Sequence, residues 1–413
     1  MVSHSRFIST FLLILAIAGL PACSGVVPGV WYTLPIKKPP PGASSVSPTV
    51  AELTGLTAVT PESHGSEKAS PTSVPAQIPS VSQEQTVLLF GIGMHIEPFG
   101  ATPSELVGSN LPGFTHKGDY HEQAFFDRHV QDIWTVAGII EDYGGRMTVQ
   151  AQTPFTQVAI DTNNTILSVL AVNGHEIALH FHEGIHLWKD FEQLPVETWC
   201  AVMKEEIELV RLASGVEQIN YWSGGNLYPE IFEAADCAGL DVNSDWKNPN
   251  TQTTPLELTG IHPWRPSGGT DGNDLSLIAQ HDPHGKIVFL PEGQFGREDF
   301  ASMRRSRAPD GDQAYFDFLK QSLYASLAAA QPGQVNVFHF TIHPGEFRGN
   351  PDHPFETIER FLKDVVDPLV ANGQIRWATF SEMAEAYRNW EQAHPGLDPL
   401  ATTVPNWELP AQY

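Results

Sequence analysis

The sequence predicts an α/β fold in which a parallel β-sheet is covered by helices. From about residue 86 onward, short apolar runs alternate with longer amphipathic runs, a pattern typical of successive strand–helix units. Apolar residues make up 41% of the chain and charged residues only 17%, so a large core can be buried. The alternation alone is compatible with a closed barrel or with an open, doubly wound sheet.

The predicted elements follow one another in the order that strand–helix units require. Strands are predicted where β-branched and aromatic residues cluster, and helices where apolar residues recur at spacings of three and four. The predicted strands are 86–92, 147–151, 175–182, 218–222, 240–243, 286–290, 335–343 and 375–379. The predicted helices are 125–143, 165–172, 198–214, 229–238, 314–330 and 354–370.

The first 22 residues have the pattern of a secretory signal peptide. Arg6 precedes an apolar run over 11–20, which is too short to cross a bilayer because a spanning helix takes about 20 residues. The following Leu-Pro-Ala-Cys segment, ending at Cys23, resembles the bacterial lipobox. We therefore predict a signal peptide over 1–22, lipidation of Cys23 and an exported protein anchored to the membrane. An ordinary signal peptide with a chance cysteine is the alternative.

Residues 23–85 are predicted to form a flexible tether that precedes one folded domain over 86–413. Ten Pro, ten Ser and six Thr occur within 24–85, and such a composition buries too little apolar surface to offset chain ordering. Residues 1–85 carry as many basic as acidic side chains, so the net charge of −25 belongs to the domain. This acidity argues against binding of nucleic acid, whose phosphates need Lys and Arg.

Histidines interrupt the ends of three otherwise apolar strands. Because side chains alternate along a strand, His95 shares a face with Glu97, His180 with His182, and His339 with His343. Charge-capable groups at such positions are costly unless they converge on a ligand, and α/β folds assemble their sites at the carboxyl ends of strands. Imidazole and carboxylate groups are the usual ligands of zinc. A single buried histidine is more often structural, but three strands with the same feature favour a metal site.

Two further groups of residues leave alternatives open. Cys200 and Cys237 could form a disulfide in an exported protein, although two thiols of unknown separation do not predict one. Trp222, Trp246 and Trp264 could stack on sugar rings or pack in the core.

Four stretches of the predicted domain have the character of family motifs. They are Gly-His-Glu-Ile-Ala-Leu-His at 174–180, Asn-Ser-Asp-Trp at 243–246, Phe-Thr-Ile-His-Pro-Gly-Glu-Phe at 340–347, and a helix, a strand and a Thr-x-x-Glu sequence over 358–383. In this order they resemble the start of the second motif, the fourth motif, the late His-Pro motif and the C-terminal end of the NodB-type polysaccharide deacetylases, carbohydrate esterase family 4. The resemblance covers about residues 86–390 and implies a distorted (β/α) barrel of the polysaccharide deacetylase type.

The resemblance also implies a divalent metal, usually zinc, and a set of catalytic roles. By position, His180 matches the first metal-binding histidine, His343 the catalytic histidine, and Asp245 the carboxylate that orients it. The chain departs from the family at its first motif, because the expected Asp-Asp pair is replaced by His95-Ile96-Glu97. It also departs at the third motif, because the expected Arg is not evident in 221–226.

A second metal-binding histidine is expected at the position occupied by Gly184, so His182 or His186 must substitute for it. We predict that His95, His180 and His182 bind the ion. Glu97 is then the general base, although His95 and Glu97 could exchange roles. His343 is the predicted proton donor, oriented by Asp245 or by Glu346.

The predicted function is metal-dependent removal of acetyl groups from an N-acetylated or O-acetylated glycan of the cell envelope or its surroundings. A degenerate, non-catalytic carbohydrate-binding module is the first alternative, and the missing Asp-Asp pair and Arg support it. A metal-dependent hydrolase of another C–N or ester bond is the second alternative.

Overall fold

The domain is built around a curled parallel sheet of eight strands. In this computed structural model the described residues are 86–96, 120–187, 193–224, 228, 230–246, 258–267, 277–294, 311–345 and 353–401. The predicted signal peptide, the tether with Cys23, and the side chains of Glu97 and Glu346 lie outside them.

All strand pairs of this sheet are parallel. The strands are β1 Leu88–Ile96, β2 Thr148–Ala151, β3 Glu176–His180, β4 Tyr221–Ser223, β5 Val242–Asn243, β6 Val288–Phe289, β7 Asn336–Ile342 and β8 Ile375–Trp377. Their order is β6-β5-β4-β3-β2-β1-β7, with β8 paired to the start of β1. The sheet curls until β7 meets the segment beyond β6, where the amide of His339 donates to the carbonyl of Glu292 at 3.0 Å. The parallel α/β prediction is confirmed, and the curl selects the barrel type.

Helices cover the outer face of the sheet. They are α1 Gln123–Asp142, α2 Phe155–Thr162, α3 Ile166–Val172, α4 Glu183–His186, α5 Val196–Ser214, α6 Glu230–Ala238, α7 Gly311–Ala329, α8 Glu356–Phe361, α9 Asp367–Ala371 and α10 Phe380–Ala393. One π-helical turn, Leu362–Val366, joins α8 to α9. Among the described residues, no helix is long and apolar enough to cross a membrane.

Three helices, α2, α4 and α10, are absent from the predicted elements. The eight residues of α2 and the four residues of α4 give little periodicity to detect. In contrast, α10 carries a full capping box, in which Thr379 accepts from the backbone of Glu382 and the Glu382 side chain accepts from Thr379. Its apolar residues recur at spacings of three and four, so the signal for this helix is present in the sequence.

Side chains alternate between the two faces of each strand, and this gives the protein two hydrophobic cores. The outer core lies between the sheet and the covering helices, and the inner core lies inside the curled sheet. On β1, Phe90, Ile92 and Met94 pack with the covering helices, while Leu89 faces the interior of the curled sheet. Gly91 and Gly93 lie on the interior face with Leu89, because side chains two positions apart point the same way. A Cβ at Gly91 would lie 2.8 Å from the carbonyl oxygen of Ala378. Any larger residue at this position would therefore clash with the segment that leads into α10.

The amino-terminal end of the barrel is closed by α10. Phe380, Met383 and Tyr387 belong to the inner core. The partly buried carboxylate of Glu176 accepts a hydrogen bond from the hydroxyl of Thr148 at 2.7 Å and another from the backbone amide of Ser381 at 3.1 Å. Burial raises the pKa of Glu176, although these bonds oppose the effect. Glu176 therefore fixes α10 to the start of the strands, away from the edge where a site is expected.

His339 is predicted to make the fold sensitive to acid. It is fully buried on the inner face of β7, its Nε2–H donates to the carbonyl of Leu290 at 3.2 Å, and its ring lies 4.4 Å from that of Phe380. Burial lowers the pKa of His339 from 6.5 to about 4. His339 therefore binds a proton more readily in the unfolded chain than in the folded protein. As a result, the free energy of unfolding falls as the pH drops from 6.5 towards 4.

We expect wild type to lose about 3 kcal/mol more unfolding free energy than His339→Gln between pH 7 and pH 4. Glutamine keeps a donor for Leu290 but does not titrate. Urea unfolding at both pH values measures this difference, and parallel losses in the two proteins would contradict the prediction.

Cys200 on α5 and Cys237 on α6 form a disulfide, with their Cα atoms 5.8 Å apart. The structure therefore resolves a pairing that the sequence left open. The bond joins two neighbouring helices that cover the same side of the sheet.

Candidate functional site

Five of the side chains singled out in the sequence meet at the carboxyl edge of the sheet. His95 lies on β1, His180 ends β3, His182 and Asp245 each lie two residues beyond a strand, and His343 directly follows β7. The ring of His95 lies 4.0 Å from that of His180, 5.3 Å from that of His343, and its Nε2 is 3.6 Å from an Asp245 oxygen. The ring of His182 stands edge-on to His180 at 4.7 Å. Four separate strands thus bring imidazoles and a carboxylate to one place.

This convergence follows from the two-residue period of the strands. Leu179 and Phe181 pack in the outer core, so His180 and His182 point to the inner face. The same alternation on β1 turns His95 inward, next to the inward-facing Gln150 of β2, its partner in the strand register. His339 lies four residues before His343 and packs against α10, well below the site.

Asp245 adopts an unusual backbone conformation beside His95. Its φ is +65°, in the left-handed region that non-glycine residues seldom occupy and that costs of order 1–3 kcal/mol outside glycine. Aspartate tolerates this region better than most residues. The conformation turns the carboxylate towards His95, and both side chains are almost fully buried.

The spacing of His95 and Asp245 suits two ligands of one ion better than a hydrogen bond. The Nε2 and carboxylate oxygen are 3.6 Å apart, beyond the usual range for N–H···O bonds. Two ligand atoms at about 2.0–2.1 Å from a tetrahedral zinc lie roughly 3.4 Å apart. Among the described residues, however, no three His, Cys, Asp or Glu side chains form a complete ligand cluster. Imidazole nitrogen and carboxylate oxygen are ligand types that zinc accepts. His95 and Asp245 are the two side chains whose separation matches that of two ligands on one ion.

His180 is held by residues that the sequence did not identify. Its Nδ1 lies 2.9 Å from the hydroxyl of Ser223 on β4, and that hydroxyl donates to the Gln150 carboxamide oxygen at 2.5 Å. A Cβ at Gly224 would lie 2.5 Å from Cε1 of His180, so a glycine is required for this close approach. Thr148 and Gln150 share the inner face of a short strand, and that polar alternation is the signal that could have revealed Gln150.

The loop that carries His343 is tied to α1. Asp132 is buried on that helix and accepts a hydrogen bond from the backbone amide of Gly345 at 2.6 Å. Gly345 itself has a φ of +78°. This contact links the turn after β7 to a rigid helix and so limits the positions that His343 can take.

His186 does not share the inner face with His182. Its Nδ1 lies 3.0 Å from the backbone nitrogen of His182, and its ring stacks on Phe181 at 4.7 Å. Its Nε2 faces the carboxylate of Glu206 at 3.5 Å. The structure therefore places the ring of His182 against His180 and directs the ring of His186 to Phe181 and Glu206 instead.

The three tryptophans considered for sugar stacking pack in the core. Trp222, Trp246 and Trp264 are at most 2% exposed. Trp246 stacks on Phe289 at 5.0 Å, and Trp264 meets the same ring edge-on at 4.8 Å. Core packing accounts for all three.

Comparison with known proteins supports the fold. No protein-family model matches the chain, and no curated protein matches it. Among solved structures, a probable polysaccharide deacetylase from Pseudomonas aeruginosa PAO1 is 17% identical, with a TM-score of 0.50 over 76% of this chain and 93% of that one. A Puue allantoinase is also 17% identical, with a TM-score of 0.50 over 79% of this chain and 96% of that one. The protein thus has the fold of the polysaccharide deacetylases, as its motifs predict.

Proposed function

We propose that the protein is a metal-dependent hydrolase that removes acetyl groups from an acetylated glycan. The observation that carries the proposal is the meeting of His95, His180, Asp245 and His343 from four strands at the carboxyl edge of the barrel. This is the edge where barrels of this type assemble catalytic groups. The deacetylase-type fold and the motif resemblance support the same reaction class.

The proposed metal ligands are His95, Asp245 and one of the two histidines at the end of β3. The 3.6 Å spacing favours Asp245 as a ligand beside His95, whereas the sequence suggested it as the partner of His343. His180 is the better third ligand because its other ring nitrogen is fixed by Ser223; His182 is the alternative. When bound, a divalent cation supplies a Lewis acid that polarises the acyl carbonyl and acidifies water.

Hydrolysis also needs a proton acceptor and a proton donor. His343 lies at the rim of the cluster, edge-on to His95, and is half-buried, so it can reach a bound substrate. It would donate a proton to the departing nitrogen or oxygen of the glycan. Glu97, two residues beyond His95 along the chain, is the proposed general base.

Zinc content and acetate release test the two parts of this proposal. We expect about one zinc per chain in the wild type and markedly less in His95→Ala and His180→Ala, measured by mass spectrometry after dialysis. His262→Gln is the matched control, because His262 is buried elsewhere and bonded to the carbonyl of Val335. Acetate release from acetylated chitooligosaccharide and peptidoglycan should follow the zinc content.

Equal zinc in the variants and the control would refute the ligand assignment. Zinc binding and glycan binding without acetate release would instead favour a non-catalytic carbohydrate-binding module. If only other amides or esters in a substrate panel are hydrolysed, the proposed metal-dependent hydrolysis stands and the proposed glycan substrate is wrong.

We also propose that the protein is exported and anchored through a lipid on Cys23. The signal-peptide pattern over 1–22 supports this. The disulfide between Cys200 and Cys237 adds support, because such bonds persist mainly in oxidising compartments outside the cytoplasm.

A further inference from the structure

We infer that Ser223 and Gln150 are positioning residues that fix the tautomer of His180, so that its Nδ1 carries the proton and its Nε2 carries the lone pair directed to the site. The inference rests on the proposed function for its consequence, although the tautomer itself belongs to the resting protein. The three side chains come from β3, β4 and β2, on the inner face of the barrel.

The direction of the hydrogen bonds follows from the atoms that they join. The Ser223 hydroxyl faces the carboxamide oxygen of Gln150, and a carbonyl oxygen can only accept a hydrogen bond. The serine proton therefore points to Gln150. Since a hydroxyl has one proton, Ser223 can only accept from His180, whose Nδ1 is 2.9 Å away.

The surroundings hold the ring in this orientation. On one side, the backbone of Gly224 lies so close that a Cβ there would be 2.8 Å from Nδ1 and 2.5 Å from Cε1 of His180. On the other side, the ring of His95 is stacked at 4.0 Å with an interplanar angle of 26°. Turning the ring over would remove the bond to Ser223, which is itself completely buried.

The uncharged pair Ser223 and Gln150 affects the basicity of His180 differently from a carboxylate at the same position. A carboxylate beside a ligating histidine raises its basicity, whereas Ser223 and Gln150 carry no charge. They select between the two tautomers of the neutral ring. The neutral ring is the form that binds a metal.

Nitrogen NMR of the protein labelled with ¹⁵N-histidine tests the tautomer directly, without metal or substrate. Two-bond correlations distinguish the Nδ1–H from the Nε2–H form, and loss of a signal in His180→Gln assigns it. We expect the Nδ1–H form in wild type and in Ser223→Thr, and a mixture or the Nε2–H form in Ser223→Ala. Gln150→Leu should weaken the preference, because the serine proton is then free to turn towards His180.

Zinc affinity provides the second measurement. We expect Ser223→Ala to bind zinc about 10–100-fold more weakly than wild type, with the affinity rescued by Ser223→Thr. Ser322→Ala is the matched control, because Ser322 is equally buried on α7 and its hydroxyl has no partner among the described residues.

An Nε2–H tautomer in wild type would overturn the inference. So would a tautomer and a zinc affinity in Ser223→Ala that match those of the Ser322→Ala control. If wild type shows the Nδ1–H form but binds no zinc and hydrolyses nothing, the positioning role stands and the proposed function fails.

Discussion

Replacing His343 with alanine is expected to lower kcat for acetate release by about 10²–10⁴-fold, the usual contribution of a positioned acid–base group. His343 sits at the rim of the cluster, where it can meet the leaving group, and its loop is fixed by the bond from Gly345 to Asp132. Because it is not a proposed ligand, zinc content should stay at the wild-type level. Steady-state kinetics and metal analysis of the same preparations measure both quantities.

Asp132→Asn is the companion variant, because it retains an acceptor for Gly345 but removes the charge. We expect it to lose much less activity than His343→Ala. An unchanged kcat in His343→Ala, or a parallel loss of zinc, would show that His343 is not the proton donor.

Replacing Gly224 with alanine is expected to lower kcat by about 100-fold, because a displacement of about 1 Å at a catalytic group costs that much. The added Cβ would lie 2.5 Å from the ring of His180, and the ring must move away from Ser223. We therefore expect weaker zinc binding as well, measured by competition with a chromogenic chelator.

Gly215→Ala is the control for backbone strain. Gly215 has a φ of +74°, close to the +78° of Gly224, but a Cβ there would meet nothing within 4 Å. Both variants should lose similar unfolding free energy from the left-handed conformation, about 1–2 kcal/mol. A loss of activity in Gly224→Ala but not in Gly215→Ala supports the steric argument. Equal losses of activity in the two variants would contradict it.

The barrel elements were largely predictable because their signals are local. The strand 86–92 and the helix 125–143 correspond to β1 and α1, since apolar periodicity is contained within each segment. The strand β1 extends to Ile96, which agrees with the predicted place of His95 at the end of the first strand. Its pairing with β2 continues through His95.

The site was predictable in part. His180 and His182 share a face because of strand alternation, which the sequence shows directly. The contact between His95 and Asp245 could not be predicted, because it joins residues 150 positions apart and depends on a left-handed backbone at Asp245. Ser223 was not identified for a similar reason, since a serine in a short strand looks unremarkable until the neighbouring strand places His180 beside it.

The sequence by itself determined the parallel α/β architecture, the inward faces of the histidine-bearing strands and the motif resemblance, because these depend on short-range periodicity. Only the tertiary structure decided the different surroundings of His182 and His186, the burial of the three tryptophans, the Cys200–Cys237 bond and the contacts of Ser223 with His180 and Gln150. Each of these depends on which strands and helices become neighbours, and that is set by the curl of the sheet and the packing of helices around it.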